Sequence, residues 1–321
     1  MAQRRGAIMK RAFVTGAGGF LGSHLVESLI KDKYLVTCLI MEKENDSLLR
    51  CYDVKVIRGD ITNINFANRI PRGCTIFHCA GLTPGFRARK KDYFNVNVTG
   101  TKNLVEAGIK RKVKQFVYIS SGAAVGPVGT QEKPITESSV PHPDSFYGES
   151  KLEAEKMLKN YSNKIKIVII RPFIFFGPRM PKASSASRFF AMASKKYVPV
   201  INGGVFEICY VKNVVDGLIM GYKKSKKPYN IFNIADNKKY SFKEVVKLVN
   251  KNVRIIIIPK TLAKILAIIG DILIIKKFNT RVLGGMTGSW NASITKAERE
   301  LGFKPKYTLS EGIKDTLEAK I

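Results

Sequence analysis

The stretch FVTGAGGFLGSH, Phe13–His24, follows an apolar run and carries glycines at Gly16, Gly18, Gly19 and Gly22. Their spacing is G-x-x-G-x-x-G, shifted from the more familiar G-x-G-x-x-G. AFVTG reads as a strand. Residues 20–31 read as a helix, with Phe20, Leu21, Leu25, Val26 and Leu29 on its apolar face. The glycines therefore fall in a strand-to-helix turn, the setting in which such a motif cradles a phosphate. Gly16 would permit the sharp turn, Gly19 the approach of backbone amides to a pyrophosphate, and Gly22 close packing of helix on sheet. The helix N-terminus adds free N–H groups and a partial positive charge. A plain glycine-rich turn is the bland alternative.

Outward from this turn, strand and helix signals alternate. Strand-like runs are YLVTCLI, VKVIRGD, TIFHCAG, QFVYISS and IKIVIIRP, with helical stretches at 20–31, 97–110 and 146–161. The strands are continuous apolar runs, as in a parallel sheet covered on both faces. The fold class expected is α/β, a doubly wound parallel sheet with a smaller C-terminal substrate domain. Residues 9–172 form the dinucleotide-binding part. Residues 173–321 form mainly the substrate part, with some segments returning to the sheet.

Composition narrows the function. The 321 residues include 55 Lys and Arg against 25 Asp and Glu, a net charge of +30. The basic residues are scattered and not interleaved with aromatics, so a basic surface is expected rather than a specific nucleic-acid site. Five cysteines without a C-x-x-C pair and three histidines offer no metal constellation, and the cysteines read as reduced core residues of a cytoplasmic protein. The N-terminal MAQRRGAIMK has no apolar core for a secretory signal. LAKILAIIGDILII, 262–275, is too short to span a bilayer. It fits a lipid pocket or peripheral membrane contact, and an ordinary buried helix more simply.

The chemistry is carried further along. SFYGESKLEAEK places Tyr147 and Lys151 four residues apart, on one helix face. A phenol has a pKa near ~10, and an adjacent ammonium lowers it. QFVYISSGAAVGP ends a strand with Ser120 and Ser121 at the ligand edge, where a hydroxyl can hold a substrate oxygen against the tyrosine. An acidic residue about 20 positions beyond the glycines would bind the adenosine ribose. That strand ends in CLIMEKEN, with Met41 in the first position, then Glu42, Lys43 and Glu44. Glu42 or Glu44 favours NAD, and Lys43 keeps NADP open.

Taken in order, TGAGGFLG, RGDI, HCAG, NVNVTGTKNLVEA, YISSGAAVGP, YGESK, RPFIFFGP and ITKAERELGFKPKYTLSEGI resemble the short-chain dehydrogenase/reductase superfamily over nearly the whole chain. The resemblance is to the extended branch that contains the NAD-dependent epimerase/dehydratases, in which the shifted glycine spacing is usual. It implies a catalytic set of Ser121, Tyr147 and Lys151, with Asn97 supporting a proton relay. Counting back from Gly126 favours Ser121 over Ser120. It implies cofactor contacts at Gly16, Gly19, Phe20, Leu21, Gly22 and Glu42, with Asp60 and Ile61 flanking the adenine. Cys79, Ala80 and Gly81 would pass along the cofactor, and Pro172 and Phe173 would lie near the nicotinamide. It also implies a homodimer pairing helices 97–112 and 146–161.

Departures from the family bear on the substrate. GAA, 122–124, stands where 4,6-dehydratases carry an Asp-Glu pair, which argues against water loss. GGVFEICYVKNVVDG offers Phe206 and Glu207 where many nucleotide-sugar epimerases have an arginine, and Asn213 replaces the usual Asp. Arg179, Lys182 or Arg188 would have to serve a diphosphate instead. YVKNVV and SSGAAVGP resemble the 3β-hydroxysteroid dehydrogenase and sterol-decarboxylase branch. The reading favoured here is an oxidoreductase acting on an apolar or cyclic secondary alcohol or ketone. The alternatives are a nucleotide-sugar epimerase of the UDP-hexose 4-epimerase type and a non-catalytic, cofactor-sensing or RNA-binding member.

Overall fold

The computed structural model describes residues 10–84, 88–130, 132–202, 205–206 (backbone only), 208–236, 238–273, 280, 283–284 and 290–319. Its centre is a seven-stranded parallel sheet. The strands are β1 (Arg11–Thr15), β2 (Leu35–Ile40), β3 (Lys55–Arg58), β4 (Thr75–His78), β5 (Gln115–Ile119), β6 (Lys166–Pro172) and, from far along the chain, Tyr229–Ile234. Their spatial order places β1 between β4 and β2, with β3 at one edge and Tyr229–Ile234 at the other, beside β6. The order reverses at β1, so the crevice at its C-terminal end is the ligand site such sheets offer.

Burial explains why these runs are strands. Every residue of β4 and β5 is buried, as a central strand covered on both faces requires. One core cluster joins α1 (Phe20–Lys31) to β1 and β2 and to elements beyond residue 173. The other packs on the opposite face around Phe13, Phe116, Leu104 and Leu158. There the covering helices are α2 (Lys90–Phe94), α3 (Thr101–Lys110) and α4 (Phe146–Lys159). α2 and α3 are joined through a π-helical stretch, Asn95–Gly100. Such wide turns cluster at functional sites, and this one carries Asn97.

Beyond β6 the chain forms short strands and helices. These include α5 (Ser185–Ala193), α6 (Val211–Lys224), α7 (Phe242–Val249) and α8 (Lys260–Ile272). Strand Tyr197–Ile201 pairs in parallel with Arg254–Ile258, which leads into α8. The ordinary buried helix expected over 262–275 is not what forms. α8 buries Ala263, Ala267 and Gly270 and leaves its large aliphatic side chains in solvent. Periodicity showed an apolar face but not which face meets the core. Residues 274 and 275 lie outside the described residues. All five cysteines are free thiols. Among the described residues, no helix is long and apolar enough to cross a membrane.

Candidate active site

The glycine turn is shaped by contacts that exclude side chains. Gly16 sits at φ +62°, and a Cβ there would lie 2.8 Å from the Ala80 nitrogen. At Gly22 a Cβ would come within 2.0 Å of the Gly16 carbonyl oxygen. Helix α1 thus packs directly on the turn. Its N-cap, Gly19, provides no side-chain cap, so the first N–H groups of α1 stay open to an anion. These features fit a dinucleotide pyrophosphate. Phe20 stacks on Phe175 at 5.2 Å between centroids, and Leu21 is buried.

At the end of β2 the two carboxylates that would favour NAD are placed differently. Glu42 is exposed, and its carbonyl accepts from Arg58 Nη1 at 2.7 Å. Glu44 is the carboxylate that folds back. It accepts the Met41 N–H at 3.0 Å, and its Oε1 lies 2.7 Å from where a Gly18 Cβ would stand. The nearby guanidinium of Arg58 is committed to Asp46, at 2.9 Å. Asp60 accepts the Thr62 N–H at 2.8 Å, and Ile61 is buried against Gly100.

Residues 79–81 run from the glycine turn to the catalytic candidates. Cys79 follows β4, and its burial pushes the thiol up to about 12. Ala80 touches Gly16. A Cβ on Gly81 would lie 3.0 Å from Asn97 Oδ1 and 3.7 Å from Lys151 Nζ. Asn97 fixes this strip. Its Oδ1 accepts the Leu82 N–H at 2.8 Å, and its Nδ2 donates to the Leu82 carbonyl at 3.0 Å and to Ser150 Oγ at 2.9 Å.

The two adjacent serines have separate tasks. Ser120 is buried and donates to Glu155 Oε1 at 2.5 Å. Glu155 in turn holds Arg171 through Nε at 2.9 Å and Nη2 at 2.5 Å, also buried. Ser121 caps the short turn Gly122–Ala124, its Oγ accepting the Ala123 N–H at 3.1 Å, and its hydroxyl lies beside the Tyr147 phenol. Burial pushes the Tyr147 phenol up to about 12, the Ser121 hydroxyl opposes this, and Tyr93 adds to it. Lys151 is buried and donates to the Ile119 carbonyl at 2.6 Å and to Tyr118 Oη at 3.1 Å. Burial lowers its ammonium to about 7, while Glu155 and Cys79 pull it back up. Phe173 packs under Gly122, and Pro172 is buried at the end of β6.

A buried network missed at the level of sequence lies beneath these groups. Thr101 Oγ1 donates to the Asn97 carbonyl at 2.7 Å, so it accepts from His78 Nε2 at 2.9 Å. His78 Nδ1 then accepts from the Thr15 hydroxyl at 2.7 Å. Burial lowers His78 to about 3, so the ring is neutral. One imidazole thereby ties β1, β4 and α3 together under the site.

Several substrate candidates are committed elsewhere. Asn213 is fully buried. It donates to Asp236 Oδ1 and the Tyr307 carbonyl and accepts from the N–H groups of Lys306 and Tyr307. It latches the C-terminal segment onto α6. Arg179 pairs with Glu27 at 2.6 Å and His24 at 2.7 Å behind α1. Lys182 and Arg188 are exposed. Glu207 and the Phe206 side chain lie outside the described residues. Tyr210 is buried, with its hydroxyl engaged by Asp315.

The glycine cradle and the Ser121–Tyr147 contact lie at one edge of one sheet. A model of the NAD dependent epimerase/dehydratase family matches residues 12–235. The chain belongs to this family. Members are NAD(P)-dependent dehydrogenases and epimerases. A UDP-glucose 4-epimerase from Vibrio cholerae is 29% identical over 97% of this chain and 95% of that protein. A sterol-4-alpha-carboxylate 3-dehydrogenase, decarboxylating, from Mus musculus is 26% identical over 97% and 91%. A crystal structure of a Thermotoga maritima UDP-glucose 4-epimerase with UDP-glucose superposes with a TM-score of 0.78. It is 24% identical and covers 97% of this chain and 98% of its own. The relatives of this epimerase/dehydratase family member thus span more than one activity.

Proposed function

We propose that the protein is an NAD-dependent epimerase of a nucleotide-activated sugar, of the UDP-hexose 4-epimerase type. The observation that carries it is the placement of Ser121 beside the Tyr147 phenol, with Lys151 buried one turn further along α4, next to the glycine cradle. The Vibrio cholerae relative matches along nearly its full length, which supports the substrate class. Ala123 and Ala124 supply neither acid nor base beside Ser121, which speaks against a dehydratase. Two of the features that suggested an apolar substrate serve other ends. Asn213 is a structural latch, and α8 turns its aliphatic face outward.

In this reading residues 9–172 hold the cofactor and residues 173–321 mainly the substrate. The N-terminal amides of α1 hold the pyrophosphate, and Glu44 takes the ribose-binding place expected of Glu42. A carboxylate there favours NAD over a cofactor with a 2′-phosphate. When bound, NAD accepts a hydride from a sugar carbon and returns it. Tyr147 removes the proton from the hydroxyl on that carbon and gives it back after the ring has turned. Ser121 holds the same oxygen. Lys151, when charged, favours the phenolate. Asn97 keeps 79–82 in place along the cofactor. A homodimer through α3 and α4 belongs to the same proposal.

The test is conversion of UDP-glucose with catalytic NAD, followed by NMR of the C4 configuration. A second reading, a dehydrogenase for a cyclic secondary alcohol, would instead accumulate NADH in proportion to product.

A further inference from the structure

Helix α8 is built inside out. Its inward stripe is Ala263, Ala267 and Gly270. The two alanines pack with Ile201, Ile258 and Leu283. At 100° per residue the opposite arc carries Ile265, Ile268, Ile269 and Ile272, with Leu262 and then Leu266 on the flank leading back to Gly270. All six are exposed, Ile265 by 56% and Ile272 by 73%. The strand feeding the helix adds exposed Ile256 and Ile257. A soluble surface seldom gathers this many large aliphatics. The small residues set the helix close to the body, and the large ones stand outward.

We infer that α8 is an interfacial helix that lies on an anionic lipid surface, with its aliphatic arc in the headgroup and acyl boundary. The charges around it favour that occupant. Lys260 and Lys264 are exposed on the flank between the buried stripe and the aliphatic arc. Their stems would cover apolar surface while the ammonium groups reach headgroup phosphates. Exposed Lys251 and Arg254 extend the basic rim, and Asp271, the single acidic side chain of α8, lies on the same flank as Lys260 and Lys264. The whole chain carries +30. An anionic leaflet attracts a body of that charge. α8 has 13 residues and no helix among those described is fit to span a bilayer, so the helix lies in the surface plane.

The test is flotation of the purified full chain with vesicles of phosphatidylcholine containing phosphatidylglycerol, and with phosphatidylcholine alone. The chain is expected to float with the anionic vesicles, less so at high salt, and weakly with the neutral ones. Ile265→Glu with Ile269→Glu is expected to lower binding by about tenfold or more. Both positions are exposed, so the fold is spared, and circular dichroism checks this. Lys260→Gln with Lys264→Gln is the independent second variant, expected to weaken binding by about severalfold on anionic vesicles only. Three results overturn the inference. One is absence of flotation with anionic vesicles. Another is flotation that survives the isoleucine substitutions, which assigns binding to diffuse charge. The third is self-association in sedimentation velocity that those substitutions abolish, which assigns the face to a second copy.

Discussion

Ser121 lies beside the Tyr147 phenol, while the neighbouring Ser120 turns the other way and donates to Glu155. One step along the chain thus separates a group facing the site from a group holding the core. Tyr147→Phe is expected to leave cofactor binding intact and to lower kcat by about 10²–10⁴-fold. Ser121→Ala is expected to lower kcat with little change in melting temperature. Ser120→Ala is expected to do the reverse. Steady-state kinetics beside thermal melts separate the three.

The Glu155–Arg171 pair is buried on both sides. Glu155→Gln would leave the guanidinium without its counter-charge and destabilise the fold by ~3–5 kcal/mol. Pairing it with Arg171→Met is expected to recover part of that loss, as read in urea unfolding. Glu155 also pulls the Lys151 ammonium up from its buried value. In Glu155→Gln protein that remains folded, Lys151 loses its proton at lower pH, and the pH–rate profile moves toward acid.

Two glycines four positions apart are expected to respond differently. Gly22→Ala drives a Cβ to 2.0 Å from a backbone carbonyl that the sheet holds in place. Loss of NAD binding and of fold stability is expected. Gly18→Ala meets the end of the Glu44 side chain, which can rotate away, so the protein is expected to fold and bind more weakly. Glu44→Gln is expected to weaken NAD binding, whereas Glu42→Gln leaves it unchanged. Isothermal titration with NAD checks all four.

Acid sensitivity has a specific source. Burial lowers His24 to about 4, against an ordinary histidine value of 6.5. Between those values the unfolded chain takes up a proton that the folded chain refuses. The contribution is therefore present above pH 6.5 and is lost as pH falls toward about 4. His78, lowered to about 3, extends the same trend. Melting temperatures are expected to fall across this window, and His24→Gln is expected to flatten the upper part of the fall.

The legible parts of the fold are those whose signals are local. Strand Arg11–Thr15, the glycine turn and Phe20–Lys31 follow one another within 21 residues, and apolar runs mark each strand of the sheet. The helix expected over 97–110 starts earlier, at Lys90, and passes through a π-helical stretch that no periodicity announces. The less legible parts depend on distant partners. His78 meets Thr15 across 63 positions, and Asn213 meets Tyr307 across 94. A residue change such as Asp to Asn at 213 therefore looked like a substrate signal when it is a latch. Glu44, rather than Glu42, lies against Gly18 because the chain after β2 turns back on the glycines. α8 showed an apolar arc whose direction only packing decides.

The most direct measurement is NMR of UDP-glucose incubated with the purified protein and catalytic NAD, for wild type and Tyr147→Phe. The expected result is inversion at C4 to an equilibrium mixture by the wild type, without net NADH, and almost none by the Phe variant. An unchanged UDP-glucose spectrum, together with stoichiometric NADH from a cyclic secondary alcohol, would contradict the account. So would a Phe variant that turns over as fast as the wild type.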